Sequence, residues 1–182
     1  MTVMASGLKT RLDYDDYQAI PPDGKRWELI DGGVHVTPAP SPVHQRLILR
    51  LAQALQSHFQ APAEVFVAPI DVILTPFDVL QPDVVVATNP AQVSARGIEG
   101  PPFLVVEVLS PTTAVYDRTI KSQRYAVLGV PHYWIVDPAT ARVECYRSAG
   151  QTYLSVAGAA PNDTLTHPDF PGLAISLGTL FA

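Results

Sequence analysis

Two short runs constrain this chain more than anything else in it. One is Asp83-Val84-Val85-Val86, preceded by Gln81-Pro82; the other is Phe103-Leu104-Val105-Val106-Glu107-Val108-Leu109, closed by Ser110-Pro111. Both are rich in β-branched residues and almost continuously apolar, the pattern of strands buried on both faces. Each carries one carboxylate, Asp83 at the mouth of the first and Glu107 inside the second. An ionised carboxylate in such surroundings is costly unless a cation or a dense set of donors meets it. Glu107 therefore requires a partner.

The chain of 182 residues is long enough to bury a sizeable core, and one domain spanning 1–182 is expected. Acidic residues open a short helix over 13–20, which ends at Pro21-Pro22. Strands over 25–30 and 34–37 flank Asp31-Gly32-Gly33, a hairpin signal. Ser41 caps a helix over 42–59 whose apolar stripe runs through Val43, Leu47, Leu51 and Leu55. A strand region over 64–74 is interrupted at Pro69, 76–80 reads as a turn, and 89–102 reads as a loop without pattern. After Glu107, Ser110 to Thr113 cap a helix that runs to Leu128 and closes at Gly129, followed by a strand over 132–136. Strand, helix and strand with short connections make the two strands parallel. Strands over 142–147 and 152–156 form an antiparallel meander at a sheet edge, and 161–182 holds two apolar patches. The expected class is α/β: a mixed β-sheet core flanked by helices, with an N-terminal hairpin and a C-terminal meander.

Charge and cysteine content exclude some functions. With 12 basic residues against 17 acidic, the net charge of −5 argues against coating nucleic acid non-specifically, though not against a local basic cleft. Cys145 is the only cysteine, so neither an intrachain disulfide nor a cysteine metal cluster can form; alternating with Val143, it reads as a small core residue. No apolar run approaches the roughly 20 residues of a membrane span, and Met1 to Arg11 lacks the apolar core of an export signal. A cytoplasmic protein without a membrane partner is expected.

Asp83 and Glu107 lie on consecutive strands that can pair, and Lys121 follows one connection later. On its helix Tyr116, Ile120 and Val127 read as the apolar side, with Asp117, Lys121 and Arg124 beside it. A lysine on that flank can lean its stem over apolar surface and bring its ammonium to the carboxylates. Two carboxylates and a lysine suit metal-assisted phosphodiester hydrolysis: oxygen ligands hold Mg²⁺ or Mn²⁺, and an ammonium stabilises charge on the phosphate. Taken singly, each residue also has a plainer role. Asp83 fits a turn, Lys121 a surface pair with Asp117, Glu28 an outward position beside Arg26, and His44 an exposed helix start. Arg46, Arg50, Arg118 and Arg124 read first as solvated faces, and Tyr133 and Trp134 as packing. His132 and His167, each beside a proline, suggest no role.

The ordered set Gln81-Pro82-Asp83, Val105 to Pro111, Tyr116-Asp117 with Lys121 and Tyr125, and Gly129 to Pro138 resembles the Uma2 family of restriction-endonuclease-like, PD-(D/E)xK nucleases. The likeness extends upstream through Trp27 to Gly32 and Ser41 to His44, covering about residues 12–148. The resemblance implies a metal-dependent nuclease core in which Asp83, Glu107 and the main-chain carbonyl of Val108 hold Mg²⁺ or Mn²⁺. The superfamily's Glu-x-Lys would put lysine at position 109, where this chain has Leu109; Lys121 is the matching lysine. The same likeness makes Glu28 a further acidic member of the site and puts His44 near its mouth. The expected function is a metal-dependent endonuclease acting on nucleic acid, DNA ahead of RNA, with a homodimer pooling two clefts. Its rivals are a non-catalytic nucleic-acid- or protein-binding module on the same fold and a phosphoesterase of small substrates.

Overall fold

The structure is a computed structural model that describes residues 10–182. The stretch read for an export signal, Met1 to Arg11, lies almost wholly outside the described residues. No described helix is long and apolar enough to cross a membrane.

Among the described residues the first element is helix α1 (Tyr14–Gln18), whose N-cap Asp13 and Asp16 make a reciprocal capping box. Strands β1 (Arg26–Ile30) and β2 (Gly33–Thr37) follow as the expected hairpin. Helix α2 (Pro42–His58) starts at Ser41, whose hydroxyl accepts the His44 amide, with Pro42 in the first turn. Next come β3 (Glu64–Val67), β4 (Val72–Thr75), β5 (Asp78–Leu80), β6 (Val84–Ala87), β7 (Val93–Ser94), β8 (Gly97–Glu99) and β9 (Leu104–Val108). Helices α3 (Ala114–Tyr116) and α4 (Ser122–Val127) are joined by a π-helical turn, Asp117–Lys121. Strands β10 (His132–Asp137), β11 (Arg142–Ser148), β12 (Tyr153–Ala159), β13 (Thr164–His167) and β14 (Phe170–Ser176) lead to helix α5 (Leu177–Phe181).

This is a mixed α/β fold with two six-stranded sheets instead of one. The first is ordered β2-β1-β5-β4-β8-β7, the second β12-β11-β10-β9-β6-β3, and β13 and β14 form a separate pair. At the centre of the second sheet β9 runs parallel to β10 and antiparallel to β6. One face, through Val84, Val86, Leu104, Val106, Trp134 and Val136, packs on Leu47, Leu51 and Leu55 of α2 and on the C-terminal hairpin. The other face, through Val105, Tyr133 and Ile135, meets Tyr125, Val130, Leu80 and Ile30. These strands are sandwiched, and each fully buried Val or Leu contributes roughly 1.5–3 kcal/mol.

Several sequence expectations need correction. The segment 76–80 is not a turn alone: it contains β5, fully buried and bonded to both β1 and β4. The segment 89–102 is not a patternless loop but holds β7 and β8, with Ile98 buried in the first sheet. The apolar patches of 161–182 are β14 and α5. Ile120 and Val127 are exposed, while Asp117, Lys121 and Tyr125 are buried. Of the side read as apolar, only Tyr116 packs inward, and Ile120 and Val127 face outward. A residue spacing of four puts Asp117, Lys121 and Tyr125 in one row; Lys121 and Tyr125 both reach Glu107 of β9, and Lys121 also reaches Glu28 of β1.

Candidate active site

The site forms where the two sheets and the π-helical turn meet. Val84 pairs with Val106 across antiparallel β6 and β9, which sets Asp83 opposite Glu107 one step further along. Glu28 comes from β1 of the first sheet, and Lys121 ends the π-helical turn. Lys121 Nζ is 2.9 Å from Glu28 Oε1, 3.1 Å from Glu107 Oε1 and 3.8 Å from Asp117 Oδ1. All four residues are at most 3% exposed. The plainer reading of Lys121 as a surface partner of Asp117 is thus overturned, as is an outward Glu28.

Each carboxylate is further anchored. Glu28 Oε1 accepts the Gln81 amide at 2.8 Å, and its Oε2 accepts the Thr37 hydroxyl at 3.1 Å. Tyr125 donates its hydroxyl to Glu107 Oε1 at 3.1 Å, beside Lys121. Among the described residues Glu107 Oε2 takes no hydrogen bond, so one lone-pair-bearing oxygen of the buried acid remains open. Asp83 Oδ2 accepts the Val108 amide at 2.8 Å, and Arg26 Nη1 stands 3.7 Å from its Oδ1. His44 Nε2 lies 3.1 Å from Asp83 Oδ2 and 2.9 Å from the Val108 carbonyl, two acceptors, so this nitrogen carries a proton. Above these groups lies a cleft of about 700 Å³ bordered by the β2–α2 connection on one side and Ser110 to Thr113 on the other.

The electrostatics show a deficit of positive charge. Burial raises the Glu107 pKa well above the usual carboxylate range; Lys121 pulls against this, and Asp117, Asp83 and Glu28 reinforce it. Asp117 is raised for the same reasons. Burial would lower the Lys121 pKa, but its surrounding carboxylates override this and hold it protonated. His44 is likewise raised: burial opposes its charge, and Asp83 outweighs burial. Four carboxylates share Lys121, the more distant Arg26 and the His44 imidazole, and the raised pKa values of Glu107 and Asp117 mark an acidic cluster that a further cation would relieve. The open oxygen of Glu107, a carboxylate of Asp83 and the Val108 carbonyl form a hard-oxygen donor set suited to Mg²⁺ or Mn²⁺.

The structure brings Asp83, Glu107, Val108, Lys121, Glu28 and His44 together. Sequence reasoning missed Tyr125 as a donor to Glu107 and Arg26 as the guanidinium beside Asp83. Both carried a signal: Tyr125 extends the Asp117–Lys121 row, and Arg26 shares the Glu28 face of β1. The other arginines stay outside the cleft. Arg118 makes a two-pronged pair with Glu144, Arg124 is bonded to Asp78, Arg50 donates to the Leu180 carbonyl, and Arg46 is exposed.

Comparison with known proteins bears on the family and the fold. The family model for Uma2, described as "Putative restriction endonuclease", matches residues 14–178. A solved structure of a "putative nuclease belonging to DUF820" from Anabaena variabilis superposes with a TM-score of 0.74 at 20% identity. The match covers 93% of this chain and 97% of that one. No curated protein matches.

Proposed function

The chain belongs to the Uma2 family, and from that premise we propose that it is a divalent-metal-dependent endonuclease that hydrolyses phosphodiester bonds in nucleic acid, DNA in the first place. One observation carries the reading: Glu107 faces Asp83 across paired strands with Lys121 in contact, at the floor of an open cleft. Asp83, Glu107 and the Val108 carbonyl would hold the ion, which supplies Lewis-acid activation of the phosphoryl group and of water.

The remaining residues divide the work. Lys121, kept protonated by its carboxylates, is a fixed positive charge and not a base; its role is to meet negative charge on the phosphate. Glu28 has both oxygens occupied, so it acts as a positioning residue that aims the ammonium. Tyr125 holds Glu107 Oε1 and leaves Oε2 for the ion. His44 rests on Asp83 and the Val108 carbonyl and competes with a cation for them.

The close ion pairing of Lys121 with Glu28 and Glu107, together with the net charge of −5, favours a second reading, a binding module with no turnover. Calorimetric titration with Mg²⁺ and Mn²⁺ and cleavage assays on supercoiled, linear and single-stranded DNA and on RNA separate them. The endonuclease binds metal and cuts, and Asp83→Asn and Glu107→Gln lose both. Metal-independent binding without cutting would leave the module.

A further inference from the structure

At the other end of the second sheet, on its other face, three side chains meet that the site above does not use. His132 opens β10, His167 closes β13, and Asp169 lies in the turn before β14. One ligand-capable atom from each lies within 4.8 Å of those of the others. Both histidines are 5% exposed. Aromatic neighbours fix their rings: His167 stacks on Phe170 with centroids 4.0 Å apart and on Trp134 at 5.6 Å, while Phe103 and Phe170 meet His132 edge-on at 4.9 and 4.8 Å. Arg147 Nη1 donates to Asp169 Oδ1 at 2.8 Å, which orients the carboxylate.

Buried polar atoms in folded proteins are almost always paired, and unpaired ones point to a bound water or ion. His132 Nδ1, His167 Nε2 and Asp169 Oδ2 are all buried without a hydrogen-bond partner among the described residues. Two imidazole nitrogens and a carboxylate oxygen form the mixed donor set of zinc-class ions, whereas Mg²⁺ and Ca²⁺ prefer oxygen alone. We propose that His132, His167 and Asp169 form a second metal site, separate from the acidic cleft, that holds one zinc-class divalent ion and ties the β13–β14 hairpin to the start of β10.

The competing occupant is water. The Asp169 amide donates to His167 Nδ1 at 3.1 Å, which leaves the ring proton of the metal-free protein on Nε2. Trp134 Nε1 is a further buried donor without a partner among the described residues. A water could serve these donors and the two open acceptors. A cation at His167 Nε2 instead moves the ring proton to Nδ1, which loses that hydrogen bond and requires the Asp169 amide to turn away from the new N–H.

Co²⁺ distinguishes the two, because its visible absorption reports nitrogen and oxygen ligation directly. The titration is run on Glu107→Gln, which removes the acidic-cleft site, and again after adding His167→Ala or Asp169→Asn. The expected result is a band saturating at one equivalent, displaced by Zn²⁺, with affinity falling by at least about tenfold in both variants. Zn²⁺ also raises the Tm of the parent and not of the variants. Asp169 sits in a partly exposed turn, so Asp169→Asn keeps the test valid if His167→Ala fails to fold. Absence of the band, or a band that Asp169→Asn leaves unchanged, overturns the metal site and leaves ordered water as the occupant. Neither outcome depends on whether the acidic cleft cuts nucleic acid.

Discussion

Lys121 Nζ lies 2.9 Å from Glu28 Oε1, and this buried contact joins the first sheet to the helix that covers the second. Glu107 and Asp117 complete the ring around the ammonium. Removing the cation of a buried cluster costs more than the cluster contributes, because the carboxylates left behind are stranded. Lys121→Met should therefore destabilise the protein by about 3–5 kcal/mol at pH 8. Urea unfolding reads this directly, and the penalty should shrink toward pH 5 as the stranded carboxylates take up protons. A loss below a kilocalorie per mole at pH 8 would mean that water already reaches the cluster.

Glu107 gives the opposite sign. Its folded-state pKa lies above the unfolded value, as does that of Asp117. For such groups the native state binds protons more readily than the unfolded state, so stability is fully present below about pH 4 and falls as pH rises through the folded-state values. Glu107→Gln removes that burden while Glu28 and Asp117 remain beside Lys121. The variant should be more stable than the parent at pH 8 and converge with it near pH 4. Thermal melts across this range test it, and a variant less stable at pH 8 refutes it.

Asp78 and Arg124 form a pair of different purpose. Asp78 is wholly buried in β5, and Arg124 Nε and Nη2 reach its two oxygens at 2.5 and 2.7 Å. Burial raises the Asp78 pKa, but Arg124, Thr75 and the Asp31 amide together bring it below the ordinary value. A depressed carboxylate pKa contributes stability above the unfolded value, near 3.8, and loses it as pH falls through the folded value. Asp78→Ala should cost roughly 1–3 kcal/mol at pH 7 in chemical unfolding through the lost charge-assisted hydrogen bonds, since Arg124 is partly exposed and keeps Asp31. Metal binding in the cleft should be unchanged in whatever fraction remains folded.

The legible parts of this fold were those whose neighbours impose one rule. The runs over Val84–Ala87, Leu104–Val108 and His132–Asp137 are covered on both faces, so apolar continuity marks them and makes Asp83 and Glu107 stand out. Strand β5 was hidden because Asp78, a charged residue in a wholly buried strand, is satisfied by Arg124 from a distant helix. Strands β7 and β8 are too short to show a period, and Gly97 and Gly100 bend the chain through positive φ on either side of Ile98 and Glu99. The face of Asp117–Lys121 was misjudged because apolar side chains were assigned to the interior, while the ion cluster with Glu28 is a tertiary property. The meeting of His132 with His167 likewise depends on how the last hairpin docks, which no local pattern records.

His44 offers the sharpest test of the metal reading. Its Nε2 contacts Asp83 Oδ2 and the Val108 carbonyl, two of the oxygens assigned to the ion, while its Nδ1 is buried without a partner among the described residues. A proton on Nε2 and a divalent cation cannot both be served by the same lone pairs. Adding Mn²⁺ or Mg²⁺ should therefore break the His44 contacts, and His44→Ala should bind either ion more tightly, by a factor of about ten if one charge-assisted hydrogen bond, about 1.5 kcal/mol, is being displaced. Calorimetry measures the affinity, and the imidazole resonances of His44 under Mg²⁺ report the displacement. If His44→Ala weakens binding instead, the imidazole supports the ion as a ligand or an orienting group, and its place among the competitors of the metal is lost.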